Sequence, residues 1–270
     1  MILHDWPIAQ RAFVTDMGNG NRIILNHYDR DMTKTKIVFG KNSYNNTLVL
    51  DNYVTIKNSF IEFQGSNSVV FINESKKNYK LRILICGNSL LYIGKNCFFN
   101  DFDGYKTYFF VYEHQNIIIG DGCLVSYGCT FRTSDVHLIY DVNSNKRISM
   151  SKSIVIGDHV WIGQNSLILK GTYVGSGTII GANSVVSGKK IGSNSIWAGN
   201  PVKELRKGIY WLRTSSKNWG MEETLKYANL KNKNERFVYR YDPNESLLDD
   251  DIKDISVNTL LMSSKNRFSI

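Results

Sequence analysis

Among the five histidines of the chain, His137 lies where an imidazole is best placed to move a proton. It belongs to a polar stretch, residues 134–153, and has Asp135 and Asp141 close by in sequence. Imidazole titrates near neutral pH, so it can take up and return a proton under working conditions. Either carboxylate, or a backbone carbonyl, would orient the ring and stabilise the imidazolium. The residue types make His137 the best candidate for a general base among the histidines, but taken alone they favour an ordinary loop histidine.

The other histidines have less support for a chemical role. His159 takes the place in a repeating unit where Asn usually turns a corner of the chain, so contact with a ligand is the less favoured interpretation. His4, His27 and His114 stand in no recognisable pattern. These four residues are therefore not expected to carry chemistry.

The elements that must position His137 follow from a repeat of six residues. Most units start with Ile or Val followed by Gly, and they often have Asn at the fourth place and Ser, Thr or Cys at the fifth. The units occupy 93–98, 119–124, 125–130, 156–161, 162–167, 168–173, 174–179, 180–185 and, after a five-residue step, 191–196. The leading side chain points inward, Asn tolerates a left-handed corner, and the small fifth residue fits a crowded interior.

Three such units make one triangular coil, and stacked coils pair their backbones in parallel. The period therefore predicts an all-β fold, a left-handed parallel β-helix, rather than ordinary buried strands joined by glycine-rich turns. We expect a looser N-terminal part of the helix and a C-terminal cap with a short helix. The expected divisions are an N-terminal cap at 1–35, the β-helix at 36–202 with loops at 101–115 and 134–153, and a C-terminal extension at 203–270.

Three of the four cysteines fall at the small fifth place of a unit, namely Cys97, Cys123 and Cys129. Cys123 and Cys129 are six residues apart, which is the length of one unit, and all three share the same place, which favours inert buried thiols over a catalytic or metal-binding role. Neither paired CxxC motifs nor clustered carboxylates occur, so no metal is expected. Four unpaired thiols, together with no signal peptide and no apolar run long enough to span a bilayer, predict a cytoplasmic protein without a membrane span.

The chain carries a formal net charge of +9, which favours anionic partners. Nucleic acid, an acidic membrane, a charged polysaccharide and a phosphorylated cofactor would all suit this charge, but no nucleic-acid motif accompanies it. Residues 203–241 concentrate it, with ten Lys or Arg against four Glu. We expect this segment to cover the open end of the coil, because an exposed β edge invites aggregation; binding an anionic substrate is the alternative.

Three motifs give the sequence a family resemblance. They are Arg-Thr-Ser-Asp-Val-His at 132–137, Ile-Gly-Asp-His-Val-Trp-Ile-Gly at 156–163 and Ala-Gly-Asn-Pro-Val-Lys-Glu-Leu-Arg at 198–206. In this order they resemble the hexapeptide-repeat acetyltransferases, most of all the bacterial O-acetyltransferases of sialic-acid capsular polysaccharide. The resemblance implies a homotrimer that moves an acetyl group from acetyl-CoA to a sugar hydroxyl, with a sugar or polysaccharide acceptor and His137 as the base.

The resemblance also implies a set of site residues. Trp161 would join His137 in catalysis, and the acceptor would be bound by Asn100, Asp135 and Tyr140. Coenzyme A would lie in a groove between subunits. The residues implied for its pantetheine arm and its phosphates are Gln164, Ala182, Ser187, Gly188, Lys203 and Arg206.

Two details of that implied site stay open. The five-residue step at 186–190 is shorter than in many relatives, so Lys189 or Lys190 would be able to substitute for Ser187 and Gly188. The donor that stabilises a tetrahedral oxyanion is expected to be a backbone N–H near Gly163 or Asn100.

Other functions remain alternatives to acetylation of a surface polysaccharide. The acceptor could be a small sugar, a nucleotide-linked sugar or an antibiotic. A β-helix can also be a non-catalytic scaffold or a carbohydrate-binding module. Thermal stabilisation by coenzyme A separates an acetyltransferase from a scaffold or binding module, because a ligand that binds only the native state raises its stability.

Overall fold

The chain forms a parallel β-helix in a computed structural model that describes residues 13–26, 32–100 and 104–229. The strands of the first half are β1 Phe13–Asp16, β2 Arg22–Leu25, β3 Lys36–Phe39, β4 Thr47–Leu50, β5 Thr55–Ile56, β6 Phe60–Phe63, β7 Val69–Ile72, β8 Asn78–Tyr79, β9 Leu81–Ile85, β10 Leu90–Ile93, β11 Phe98–Phe99 and β12 Thr107–Val111.

The remaining elements complete the helix and begin the C-terminal extension. They are β13 Asn116–Ile119, β14 Leu124–Val125, β15 Thr130–Arg132, β16 Ile154–Ile156, β17 Trp161–Ile162, β18 Leu167–Leu169, β19 Tyr173–Val174, β20 Ile179–Ile180, β21 Val185–Val186, β22 Lys190–Ile191, β23 Ser195–Ala198, β24 Lys203–Lys207 and α1 Met221–Lys226.

Successive strands lie in turn on three sheets, which are the faces of a triangular prism. Face 1 has the strand order β1-β2-β4-β7-β10-β13-β16-β19-β22, and face 3 has the order β21-β18-β15-β12-β9-β6-β3. Face 2 has the order β11-β14-β17-β20-β23-β24, and the pair β5-β8 takes its place in the earlier coils. Below, the first corner joins faces 1 and 2, the second joins faces 2 and 3, and the third joins faces 3 and 1.

The length of a coil changes along the helix. Ile162 pairs with Ile180, so one coil there takes eighteen residues, which is three units of six. In the first half of the helix, paired residues are further apart in the sequence, as where Leu50 pairs with Ile72. The strict repeat therefore covers only the later coils, which agrees with the looser N-terminal part that the sequence predicts.

Inward side chains form columns that run the length of the prism. The column on face 1 consists of Leu50, Ile72, Ile93, Ile119, Ile156, Val174 and Ile191, all at most 1% exposed. On face 3, Phe109 and Phe131 stack with their ring centroids 4.9 Å apart. Each buried side chain of this size contributes about 1.5–3 kcal/mol relative to an exposed one. The core is thus continuous from coil to coil.

The cysteines at the fifth place are buried, as predicted, and unpaired. The thiols of Cys123 and Cys129 donate to the carbonyl oxygens of Gly157 and Gly163 at 3.1 and 3.2 Å. Burial raises the pKa of the Cys129 thiol to about 11, so it stays protonated at neutral pH. These thiols act as small core residues.

The corners use left-handed backbone, as the asparagines predict. Asn165, Asn183 and Asn194 have φ values of 56°, 54° and 53°. At the third corner, asparagine side chains bond from coil to coil, and the ladder ends where the Asn88 amide meets the His114 ring at 3.0 Å. His114, which had no context in the sequence, is therefore the last rung of a corner ladder.

The structure differs from the predicted divisions at three places. Residues 107–111, inside the expected loop 101–115, form β12 and pair with β9 and β15 on face 3. Within the expected cap 1–35, β2 already pairs in parallel with β4, so the helix begins earlier. The alternation of aromatic residues in β12 was the signal for a strand, since Phe109 points inward while its neighbours point out. Finally, β24 at 203–207 lies in the expected C-terminal extension but pairs with β23 on face 2, and the expected short helix is α1.

Replacing Phe109 by Ala should lower the free energy of unfolding by about 3–5 kcal/mol, because the ring is fully buried and its loss leaves a cavity. The outward Tyr108→Ala on the same strand is the matched control and should cost well under half of that. Urea or thermal unfolding of the two variants measures the difference. Equal losses would contradict the assignment of inward and outward positions.

Candidate active site

His137 is exposed and lies in an excursion of the chain, residues 134–153, that leaves the helix at the third corner between β15 and β16. The root of the excursion closes where the Lys152 N–H donates to the Thr133 carbonyl at 3.1 Å. Further out, the Ile148 N–H donates to the Ile139 carbonyl at 2.9 Å, so the two limbs run antiparallel. The excursion is thus an ordered hairpin-like loop that presents His137 to solvent.

The two carboxylates near His137 bond to other groups. Asp141 Oδ1 accepts the N–H groups of Asn143 and Ser144 and the Ser144 hydroxyl, and the pKa of Asp141 is lowered chiefly by the Ser144 N–H. Asp135 forms an ion pair with Lys170 of the following coil. Asp141 therefore shapes the loop tip, and Asp135 ties the loop to the scaffold.

Trp161 lies on β17 and points outward from face 2, with 37% of its surface exposed. Along face 2, Trp161 pairs with Ile179, Ile179 pairs with Ile196, and Ile196 pairs with Arg206 on the edge strand β24, so these residues form one column. Three strand spacings separate Trp161 from Arg206, which is about 14 Å. Lys203 lies opposite Ala198 on the same edge. Face 2 therefore carries an aromatic side chain on β17 and two exposed cations on its edge strand β24, one of them in the same column.

Three predicted residues, Asn100, Gln164 and Ala182, lie at the second corner, beside face 2, in three different coils. Asn100 follows β11, and Gln164 lies one coil above Ala182. The Gln164 carbonyl accepts the Asn183 N–H at 2.8 Å, and a Cβ on Gly163 would lie only 2.5 Å from the Ala182 nitrogen. The coils here are in close contact, which leaves a smooth outer surface with small side chains.

The backbone donors expected for an oxyanion are engaged in the helix itself. The Gly163 N–H donates to the Ile180 carbonyl at 2.7 Å, and the Asn100 N–H donates to the Val125 carbonyl at 2.8 Å. Both bonds belong to the ladder that joins neighbouring coils. The N–H groups of Gly163 and Asn100 themselves are therefore not available to an oxyanion, because stacking of the coils consumes them.

Ser187 and Gly188 lie at the third corner, on the same edge as the His137 excursion. The Gly188 N–H donates to the Lys170 carbonyl at 3.1 Å, and a Cβ on Gly188 would meet no atom within 4 Å. Gly188 has φ of 60°, a conformation that favours glycine. With Lys189 and Lys190 exposed beside it, this corner is open and basic.

The predicted site residues thus form two groups in one chain. The third-corner group consists of Asp135, His137, Tyr140, Ser187 and Gly188. The face-2 group consists of Asn100, Trp161, Gln164, Ala182, Lys203 and Arg206. Face 3 lies between them, so a single chain does not unite His137 with Trp161 or with the cations of β24.

The C-terminal extension adds residues that the sequence did not point to. After β24, which pairs with β23 at the end of face 2, the chain runs back along the first corner as a strap, residues 209–213. Residues 230–241 of the segment expected to cover the open end lie outside the described residues. Trp211 stacks on His159 at 3.9 Å between ring centroids and 12° between planes. The Trp211 indole N–H donates to the His159 carbonyl at 2.9 Å, and His159 Nε2 lies 3.0 Å from the Trp211 carbonyl.

The strap reaches the surroundings of Trp161. Trp211 is 6% exposed, and its ring centroid is 5.9 Å from that of Trp161. Further on, Arg213 donates to the carbonyls of Asn96 and Cys123 at 2.7 and 3.3 Å. In the sequence, Trp211 stood out only as an aromatic residue within a basic segment, and nothing there indicated which residue it would contact. His159 therefore anchors the strap, and the strap backs the Trp161 side chain.

The described ranges contain no group of three or more His, Cys, Asp or Glu side chains arranged to hold a metal ion. In the same part of the chain, no helix combines the length and the apolar character needed to cross a bilayer.

Comparison with known proteins agrees with this architecture. Residues 153–188 match the family described as "Bacterial transferase hexapeptide (six repeats)". The predicted resemblance to hexapeptide-repeat acetyltransferases is confirmed. No curated protein sequence matches the chain.

Among solved structures, the hexapeptide-repeat chain is similar to the polySia specific acetyltransferase NeuO. The TM-score is 0.60 at 28% identity, over 76% of this chain and 97% of that one. The polysialic acid O-acetyltransferase OatWY gives a TM-score of 0.48 at 24% identity, over 74% and 99%. A maltose O-acetyltransferase from Clostridium difficile 630 gives 0.38 at 28% identity, over 55% and 71%. The chain has the left-handed β-helix fold of hexapeptide-repeat acetyltransferases.

Docking of the strap should weaken as the pH falls below the ordinary His pKa of 6.5. Burial, and to a lesser degree Arg213, lowers the pKa of His159, although the Trp211 carbonyl opposes this. A released imidazole would take up a proton more readily than the docked one, so protonation favours release. Limited proteolysis of 208–229 between about pH 8 and pH 5 measures this. His159→Asn, which keeps the corner geometry, should remove the pH dependence; an unchanged profile in that variant would assign it to another group.

Proposed function

We propose that this chain is an O-acetyltransferase that moves an acetyl group from acetyl-CoA to a hydroxyl of a sugar. The proposed acceptor is sialic acid or another residue of a capsular or surface polysaccharide. The observation that carries the proposal is the likeness to a polySia specific acetyltransferase over 97% of that protein, with an exposed histidine on an ordered excursion. A basic chain of net charge +9 suits an anionic polymer.

His137 acts as the general base in this proposal. One ring nitrogen accepts the proton of the sugar hydroxyl while its oxygen forms a bond to the thioester carbonyl carbon. The imidazolium then returns the proton to the leaving sulfur as the carbon–sulfur bond breaks, so no acyl-enzyme forms. Since backbone N–H groups at Gly163 and Asn100 are engaged, the Asn100 side-chain amide is the proposed donor to the oxyanion.

The face-2 group fits coenzyme A by its chemistry. When bound, acetyl-CoA supplies the acyl carbon and the leaving thiolate. Lys203 and Arg206 are exposed on an edge strand, where ammonium and guanidinium groups can bind phosphates. Gln164 and Ala182 offer a smooth corner for the pantetheine arm, and Ser187 and Gly188 offer a second open corner.

We further propose that the complete site forms between subunits of a homotrimer. His137 at the third corner of one chain would meet Trp161 and the cations of face 2 on its neighbour. This arrangement is supported by the separation of the two groups within one chain and by the outward position of Trp161. Four unpaired thiols and the use of acetyl-CoA suit the cytoplasm.

Acetyl-CoA consumption should be fastest with a sialic-acid polymer and slow with a neutral oligosaccharide or a nucleotide-linked sugar. His137→Ala should lower turnover roughly 100- to 10,000-fold, because proton transfer is lost, while the thermal shift on adding coenzyme A persists. His114→Ala is the matched control, since His114 ends a corner ladder. Near-normal turnover in His137→Ala would remove the proposed base, and no thermal shift with coenzyme A in the wild type would favour a non-catalytic scaffold.

Mixing two inactive variants tests whether the site is shared between subunits. His137→Ala and Trp161→Ala chains, exchanged at equal amounts, should regain about a quarter of the wild-type sites, because a site formed across an interface can take both intact residues. A mixture that stays as inactive as its components would show that both residues serve the site from the same chain. Mixing each variant with itself is the control.

A further inference from the structure

We propose that Glu113 and Arg147 are positioning residues for His137. Their ion pair fixes the excursion 134–153 onto the preceding coil and thereby sets where His137 stands. This inference rests on the proposed function, because it concerns the base of that reaction. It assigns a role to two residues that motif comparison does not single out.

The pair joins the scaffold to the far part of the excursion. Glu113 lies at the third corner after β12, with φ of 52°, one coil before the excursion. Arg147 Nη2 donates to both carboxylate oxygens of Glu113, at 2.9 and 2.8 Å. The Ser151 hydroxyl donates to the same carboxylate. Glu113 thus binds two residues of the return limb at once.

A continuous hydrogen-bonded path leads from this pair to the His137 backbone. Arg147 donates to the Ser149 carbonyl at 3.1 Å and, through Nε, to the Ser149 hydroxyl at 3.4 Å. The Ser149 hydroxyl in turn donates to the His137 carbonyl at 3.4 Å and accepts the Ile139 N–H at 3.0 Å. Ser149 therefore connects the two limbs on either side of the peptide that bears His137.

The Glu113–Arg147 pair is one of two ion pairs that attach the excursion to the helix. On its other side the excursion is tied to the following coil by Lys170, which pairs with Asp135. Beyond Arg147, at the tip of the excursion, the described hydrogen bonds between its two limbs all belong to the turn around Asp141. Without the Glu113 pair, the part of the excursion beyond its root at 152–153 would be tied by an ion pair to the following coil alone. Small displacements of a base matter, since about 1 Å can cost up to 100-fold in rate.

Charge supports a pair that is intact at working pH. Hydrogen bonds from Arg147, and next from Ser151, lower the pKa of the Glu113 carboxyl. The carboxylate is therefore ionised throughout the neutral range, and the attachment is lost only as the pH falls below the ordinary titration range of Glu.

The experiment compares Glu113→Gln and Arg147→Gln with Glu62→Gln. This control makes the Glu-to-Gln change at a carboxylate on face 3 that accepts a hydrogen bond from Gln64. Each of the first two should lower kcat roughly tenfold and leave the KM for acetyl-CoA within about twofold, because neither residue is among those proposed to bind coenzyme A. The double variant should be no slower than either single one, since the residues act as a unit. Glu62→Gln should match the wild type.

Hydrogen exchange gives a readout that does not depend on activity. The Ile139 and Ile148 amides should exchange faster in Glu113→Gln than in Glu62→Gln, with unchanged exchange in β16 and β17. Normal kcat in Glu113→Gln together with normal exchange would overturn the positioning role, as would additive losses in the double variant. His137→Ala is measured in parallel: if it stays active, the proposed base fails, whereas an inactive His137→Ala beside a fully active Glu113→Gln removes only the positioning pair.

Discussion

Parallel stacking of one coil on the next is the constraint on which the rest of the molecule depends. A coil of three short strands cannot bury its inward side chains alone, so each face is stabilised only by the coil before it and the coil after it. The inward columns, such as Ile72, Ile93 and Ile119, and the backbone ladder come from the same register. A shift of one residue would turn each inward side chain outward, so the register is firmly specified.

This constraint also decides which groups are free for chemistry. Backbone N–H groups on the faces and at several corners are consumed by the neighbouring coil, as at Gly163 and Asn100. A rigid β-helix therefore has few backbone donors left for a reaction. Side chains that point outward and segments that leave the corners have to supply the functional groups, which is where His137 and Trp161 lie.

The two irregular segments are held by different means. The excursion bearing His137 is attached through charged side chains, Glu113 on one side and Lys170 on the other. The strap is attached by stacking and by the paired hydrogen bonds between Trp211 and His159. Glu113 and His159, which hold the two segments, are corner residues in left-handed backbone, and such corners project side chains away from the core. The corners thus serve the fold and the candidate site together.

The sequence alone determined the β-helix, because a six-residue period can place its apolar residues inward only in triangular coils. It likewise indicated the buried cysteines, the left-handed asparagine corners and the exposed His137, since each follows from local residue types. The six-residue period does not extend to the strand at 107–111, where the coil is longer, so that strand could be found only from its alternating aromatic residues. Nothing in the sequence indicated the pairing of Glu113 with Arg147 or of His159 with Trp211. Those pairs lie 34 and 52 residues apart in the chain and meet only after the coils have stacked, so only the tertiary structure decided them.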